Sequence, residues 1–483
     1  MSVGRIRRAA LVALTVLLLA AGVTAASAAP SSKAKGPKPV DPCAPVLACG
    51  EDLEAALDLE RRIADNIVSS QLVEIDYNTP ERIPGDIRSV GAWGDSGLWT
   101  GTYLAAESFR YATAKKYLKH SNRLTDEQIT FWKAQQDEAY SRVKAMVAKY
   151  HLLTNIAREW RTEFNPSVTP GDPTKNKSPA SFGGGVIAGE PGMLMRACAP
   201  VDSPPHLAMG RNLRVFGPWK WEDGVEYICE TAPSRDTYAG TTFGLLTAFD
   251  LVSGDDPAMR ALIRDDILTL AGFLVKYGWN YPRPHGNISA PPTGHDFDNF
   301  VSPLFVYVPL ARLNMTQAAR HVANTAGDEA ARSKWNAIWT EELATQGPTL
   351  AASMAIDAVQ ANEGYYKYNL HHLTGYSLTR LEADPSVRQL FLQALGVMDR
   401  TTRDDVNAHF ETITYGITGE GDRLADAVTH LREWRSYRAR IETGVPTDNA
   451  SRCTQNGGEL RCVPQDQLEV IVSPEQGVGV STP

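Results

Sequence analysis

From Gly97 to Ala112 the chain carries only two charges, Glu107 and Arg110. Leu98, Gly101, Ala105 and Phe109 fall on one side at helical spacing, and Trp99, Tyr103, Ala106 and Arg110 fall on another. Apolar positions on both sides predict a helix that needs neighbours all round it. The turn ahead of it holds Asp95, where a carboxylate can cap the first amides and meet the positive end of the helix dipole. The pattern recurs twice. Arg235-Asp236-Thr237-Tyr238-Ala239-Gly240 opens an uncharged run to Phe249, and Asn369, His371 and His372 sit ahead of an apolar helix over Leu373 to Leu381.

Each of these helices is followed by an amphipathic one. Thr125 and Gln128 have capping-box spacing at the start of a helix running towards Tyr150. Asp256-Pro257 supplies a cap and a first-turn proline to a stripe of Met259, Leu262, Ile263, Ile267, Leu270 and Leu274, and Asp384-Pro385 opens a third such helix ending near Met398. A buried helix followed by an amphipathic one is a hairpin. Gly101, Gly240 and Gly375 recur at intervals of 139 and 135 residues, each long enough for about four helices. Three visible hairpins and three hidden ones would make six.

Two stretches break the helical period. Asn165 to Pro233 is rich in proline and glycine and holds Cys198, Trp219, Trp221 and Cys229; Asn280 to Pro303 holds His285, His295, Asp296, Asp298 and Asn299. Long insertions of this kind often carry function. The second lacks the spacing of a calcium loop and reads as an Asx-turn cluster, so no metal ligands are assigned.

The ends change the picture of where the protein works. Arg5, Arg7 and Arg8 precede the apolar run Ala9 to Ala21, and Ala26-Ser27-Ala28 offers a small-residue cleavage site, the pattern of a secretory signal peptide over 1–28. Residues 29–50 read as a flexible leader with a small disulfide loop, 51–444 as the helical domain, and 445–483 as a disulfide-closed tail. Removing the signal's three arginines takes the net charge from −8 to −11, which argues against nucleic acid and anionic membranes as partners. Six cysteines beyond the signal suit an oxidising compartment, and nearest-neighbour pairing gives Cys43–Cys49, Cys198–Cys229 and Cys453–Cys462. A secreted, extracellular protein is expected. With 43% hydrophobic and 22% charged residues, the 483-residue chain has ordinary globular composition. It holds no Walker-type phosphate loop, no HExxH, no GxSxG elbow and no CxxC, and no cofactor is expected.

Apolar helices preceded by Asp- and aromatic-bearing turns resemble the (α/α)6 toroids of the six-hairpin glycosidase superfamily, which includes glycoside hydrolases and polysaccharide lyases. The residues that carry the resemblance are Gly94 to Gly101, Arg235 to Gly240 and Tyr365 to Gly375, within a span of roughly Glu51 to Gly444. It implies an all-α toroid of helical hairpins with a disulfide-closed loop insertion and a short C-terminal tail. It also implies a site at the mouth formed by inner-helix N-termini and a poly- or oligosaccharide as substrate.

Glycoside hydrolysis needs a proton donor and a base or nucleophile, usually two carboxyls about 5 to 9.5 Å apart. Asp95 and Asp236 are the natural pair, although capping alone explains an Asp at either turn. Trp93, Trp99, Tyr103, Tyr238 and Tyr365 have rings suited to stacking on sugars, or to the core. Arg235 can orient Asp236 or meet an anionic sugar, and Glu363 is a reserve carboxylate. A second reading is β-elimination from a uronide, with His371 as base, Tyr366 assisting the leaving oxygen, and Asn369 and Arg235 neutralising the carboxylate beside His372. A third is a non-catalytic glycan-binding protein of the cell envelope.

Overall fold

The computed structural model describes residues 50–64, 67–68, 70–77, 87–91, 93–159, 189–203, 215–230, 233–279, 307–325, 327–354, 366–403, 407–442, 452–456 and 459–463. The chain divides into two units, Met1–Leu53 and Glu54–Pro483. Of the first, only 50–53 are described, and they open helix α1 (Gly50–Ala64). The expected signal, leader and Cys43–Cys49 loop lie outside the described residues.

The second unit is mostly helical. After α1, short strands β1 (Ile67–Val68) and β2 (Gln71–Leu72) pair antiparallel, as do β3 (Glu74–Tyr77) and β4 (Ile87–Gly91). Ten further helices are described, joined in sequence into five hairpins. These are α2 (Ser96–Leu118) with α3 (Asp126–Asn155), α4 (Arg235–Leu251) with α5 (Pro257–Lys276), α6 (Tyr307–Thr325) with α7 (Glu329–Met354), α8 (Tyr366–Leu381) with α9 (Pro385–Thr402), and α10 (Ala408–Thr418) with α11 (Gly421–Glu442). The first helices of the pairs pack on one another: α2 on α4, α4 on both α6 and α8, α6 on α8, and α8 on α10.

Local chemistry accounts for these elements. In α4 every residue from Thr237 to Phe249 is buried. Its threonine hydroxyls are satisfied within the helix: Thr241, Thr242 and Thr247 each donate to the carbonyl four residues back at 2.7 Å. The amphipathic partners start at side-chain caps. Gln128 N donates to the Thr125 hydroxyl at 3.3 Å and Thr125 N to Gln128 Oε1 at 2.9 Å. Asp256 accepts from the amides of Ala258 and Met259, and Asp384 from those of Ser386 and Val387.

Two differences from the sequence pattern stand out. Helix α8 begins at Tyr366, so Asn369, His371 and His372 lie inside its first two turns rather than ahead of it. The described residues of the 139-residue interval between Gly101 and Gly240 contain no hidden hairpin: they belong to the rest of α2, to α3 and to a sheet-bearing insertion. The hairpin that the pattern did not show before Gly375 is α6–α7, where Arg312, Asn314, Gln317 and Arg320 interrupt the apolar run and Pro348 lies within α7.

That insertion carries an antiparallel sheet in the order β5 (Ala197–Pro200), β7 (Glu226–Glu230), β6 (Val215–Lys220). Cys198 and Cys229 face each other across it and form a fully buried disulfide. Gln71 clamps the Cys198 backbone, its Nε2 donating to the carbonyl at 2.6 Å and its Oε1 accepting from the amide at 3.0 Å. The Lys149 ammonium nitrogen reaches the same carbonyl at 3.0 Å. Near the C-terminus, β8 (Arg452–Asn456) and β9 (Glu459–Val463) pair with Cys453 opposite Cys462. Among the described residues no helix is long and apolar enough to cross a membrane.

Candidate active site

Helices α2 and α4 run side by side in the same direction. A side chain on Gly97 would meet Thr237, one on Gly101 would meet Gly240, and one on Gly244 would meet Gly101 in turn. Their N-terminal ends therefore lie together, and each bears one of the expected carboxylates. The C-terminal part of α3 supports the same place, since the Tyr150 hydroxyl donates to the Gly97 carbonyl at 2.5 Å.

Neither carboxylate acts as a helix cap. Asp95 occupies the N-cap position of α2, is exposed, and makes no side-chain capping bond, which corrects the expectation that it satisfies the first amides. Asp236 is the second residue of α4, whose cap is the reciprocal pair of Ser234 and Thr237 at 3.3 and 3.4 Å. Burial raises the Asp236 carboxyl above the usual carboxylate range; the Arg235 guanidinium opposes this, the Asp95 charge adds to it, and Arg196 opposes it.

Arg196 and Glu230 come to this place from the sheet. Arg196 Nη1 donates to the Gly94 carbonyl at 2.8 Å, and its amide donates to the Glu230 carbonyl at 2.8 Å. Glu230 is buried, and its Oε1 lies 3.7 Å from where a Cβ on Gly94 would stand. The sequence pattern missed both, although each flanks a disulfide cysteine. That proximity was the available signal.

The remaining expected residues are spread out. Trp93 is buried in the short turn ahead of α2, and Trp99 packs partly buried against the core. Tyr103 is buried two turns along, where it donates to Glu60 Oε1 at 2.8 Å and accepts from Arg142 Nη1 at 2.5 Å. It belongs to an ionic cluster of Glu60, Glu107, Arg110, Glu138 and Arg142, apart from Asp95 and Asp236. Tyr238 and Arg235 line a crevice between α4, α6 and α8 with Thr242, Asn314, Met315 and Thr374. It encloses no space large enough for a water molecule, whereas ligand pockets begin at roughly 300 Å³.

His371 and His372 are fully buried within the packing of α8, α9 and α10. His371 Nε2 is 2.9 Å from the Ala394 carbonyl, and His372 Nδ1 is 2.7 Å from the Tyr368 carbonyl with its ring stacked on Phe410 at 4.0 Å. Burial pushes His371 well below the ordinary histidine value and His372 down to about 3, so both rings are neutral and have structural partners. Asn369 is partly buried in α8. Glu363 and Tyr365 lie outside the described residues, as does the side chain of Tyr366.

One acid–histidine pair was not legible at all. His151 of α3 holds Asp266 of α5 at 2.8 Å through Nδ1, Asn155 donates to the same carboxylate oxygen at 2.8 Å, and the histidine ring meets Trp221 edge-on at 5.7 Å. Burial raises the Asp266 carboxyl, and the hydrogen bond to Asp266 raises His151. Among the described residues no three His, Cys, Asp or Glu side chains gather to hold a metal ion. Against family models, curated proteins and solved structures, the chain matches none.

Proposed function

We propose that the chain is an exported carbohydrate-active enzyme of the helical-toroid type that hydrolyses glycosidic bonds, with Asp236 as proton donor and Asp95 as base or nucleophile. One observation carries this reading: two carboxylates stand at the adjacent N-termini of parallel helices, neither of them caps, and their surroundings differ. Asp236 is raised by burial and by Asp95, which suits a group that must hold a proton until the glycosidic oxygen takes it. Asp95 is exposed, which suits a group that activates water or meets the anomeric carbon. Arg235 and Arg196 stand by to balance the charge.

Five successive hairpins with their first helices packed together support a toroid, and a sixth would complete the ring. The export signal pattern and the buried disulfide support an extracellular location. Elimination is the weaker alternative, because its base, His371, is buried against the Ala394 carbonyl.

The test is incubation of purified protein with a panel of plant, algal and bacterial polysaccharides, following new reducing ends and ultraviolet absorbance beside Asp95→Asn and Asp236→Asn. Reducing ends without absorbance, lost in both folded variants, are expected. Products that absorb would move the chemistry to elimination, and bound but uncleaved polymer would leave a glycan-binding protein.

A further inference from the structure

Arg196 reaches the turn that carries Asp95 across 102 residues of sequence, bonding to the Gly94 carbonyl. It is held at both ends: its amide is tied to the Glu230 carbonyl, and its guanidinium to the Gly94 carbonyl. The sheet behind it is fixed in turn by the Cys198–Cys229 disulfide, by Gln71 on both backbone groups of Cys198, and by Lys149 on the Cys198 carbonyl. Segment 192–195 is also bonded to the end of α3, with Gly192 N donating to Thr154 O at 2.8 Å and Met195 N to Leu153 O at 2.9 Å. Gly94 leaves no spare room, since a Cβ there would lie 2.8 Å from Arg196 Nη1. Arg235, by contrast, stands on α4 itself.

We propose that Arg196 is the positioning residue of this pair: delivered by the disulfide-closed sheet, it fixes the Gly94–Asp95 turn and holds a permanent positive charge at the N-terminal ends where the two carboxyls stand. The assignment of that proton to a glycosidic oxygen rests on the hydrolase reading; the placement of the charge does not. Four charged groups meet Asp236 or its neighbours here: Arg235 on its own helix, Asp95 at the start of α2, Arg196 ahead of β5, and Glu230 at the end of β7. Burial and Asp95 push the Asp236 carboxyl upward, while Arg235 and Arg196 oppose them. A hydrolytic cycle needs the same carboxyl to donate a proton and then recover it. Without Arg196, only Arg235 of these two charges is left to oppose burial and Asp95.

The experiment is a carbon-13 NMR titration of aspartate carboxyls in the full purified chain, with Asp236 assigned by Asp236→Asn, comparing wild type with Arg196→Gln, Arg196→Lys and Asp95→Asn. Circular dichroism checks each fold. Arg196→Gln is expected to move the Asp236 midpoint upward, Arg196→Lys to restore it by keeping the charge, and Asp95→Asn to move it downward. An unchanged midpoint in folded Arg196→Gln overturns the proposal. Should Arg196→Gln not fold, Arg196→Lys decides: a midpoint near that of wild type supports the charge role, and one displaced upward overturns it. The titration needs no substrate. Absence of turnover on every polysaccharide therefore counts against the hydrolase reading, while the Asp236 midpoint alone judges Arg196.

Discussion

A side chain on Gly101 would collide with the carbonyl of Gly240, and one on Gly240 with the backbone of Leu98. The obstacle is main chain on both sides, so rotation of a side chain cannot relieve it. Alanine in a helix is worth up to about 1 kcal/mol over glycine, whereas overpacking costs about 1–3 kcal/mol and occasionally more. Gly101→Ala is thus expected to be net destabilising by about 2 kcal/mol, read from urea midpoints. Gly272, in α5, has open space around its Cβ position, and Gly272→Ala should instead stabilise by about 0.5–1 kcal/mol. A Gly101→Ala protein as stable as wild type would remove the basis for placing Asp95 beside Asp236.

The hairpins that could be read from sequence were those whose first helix is almost uncharged and whose second opens on a side-chain cap. Thr125, Asp256 and Asp384 all cap as their spacing implies. Helix α6 escaped because its polar groups are paired inside the fold: Arg312 with Glu342, and Arg320 and Gln317 with Glu382. A buried charge with its partner far along the chain looks like a surface charge in sequence. The same limit applies at the candidate site. Asp95 and Asp236 announced themselves through matching turns, but Arg196 and Glu230 arrive through sheet pairing, which leaves no periodic trace across an insertion.

Lys149 ties stability to pH on the alkaline side. Burial beside the disulfide lowers its ammonium to about 7, from an unfolded value near 10.5. Between those values the unfolded chain binds the proton and the folded chain does not, so this group makes stability rise as pH rises from about 7 to 10.5. Relative to Lys149→Met, wild type should gain on the order of 2–3 kcal/mol between pH 7 and 9.5. Equal slopes in guanidinium titrations of the two proteins would show that the lysine is charged and satisfied where it sits.

The Cys198–Cys229 disulfide spans a separation of 31 residues. Closing a loop of that size removes chain entropy worth about 3–4 kcal/mol from the unfolded state. Replacing both cysteines with serine is expected to cost that much in a denaturant titration. It should also loosen the strand that carries Arg196, seen as faster amide exchange at Arg196, whose donor bond to Glu230 lies next to the bridge. Unchanged exchange there would mean that Gln71 and Lys149 hold the strand without the disulfide.

Acid should act first on the α8–α10 contact. Burial lowers His372 to about 3 and His409 to about 4, against an unfolded value near 6.5. As pH falls below 6.5 the unfolded chain takes up protons that the folded chain refuses, so the stabilising contribution of these neutral rings is lost progressively down to those values. For His372 alone the loss between pH 6.5 and 4 is about 3 kcal/mol. His372→Phe keeps a ring against Phe410 and removes the titration, giving up only a bond to its own helix's Tyr368 carbonyl. Its stability should therefore fall less steeply than that of wild type over this range, and the hydrolysis proposed for Asp95 and Asp236 should be unaffected at pH 7. A variant with the wild-type slope would show that His372 is already protonated in the folded protein, and one that folds yet loses turnover would return the histidine pair to the reaction.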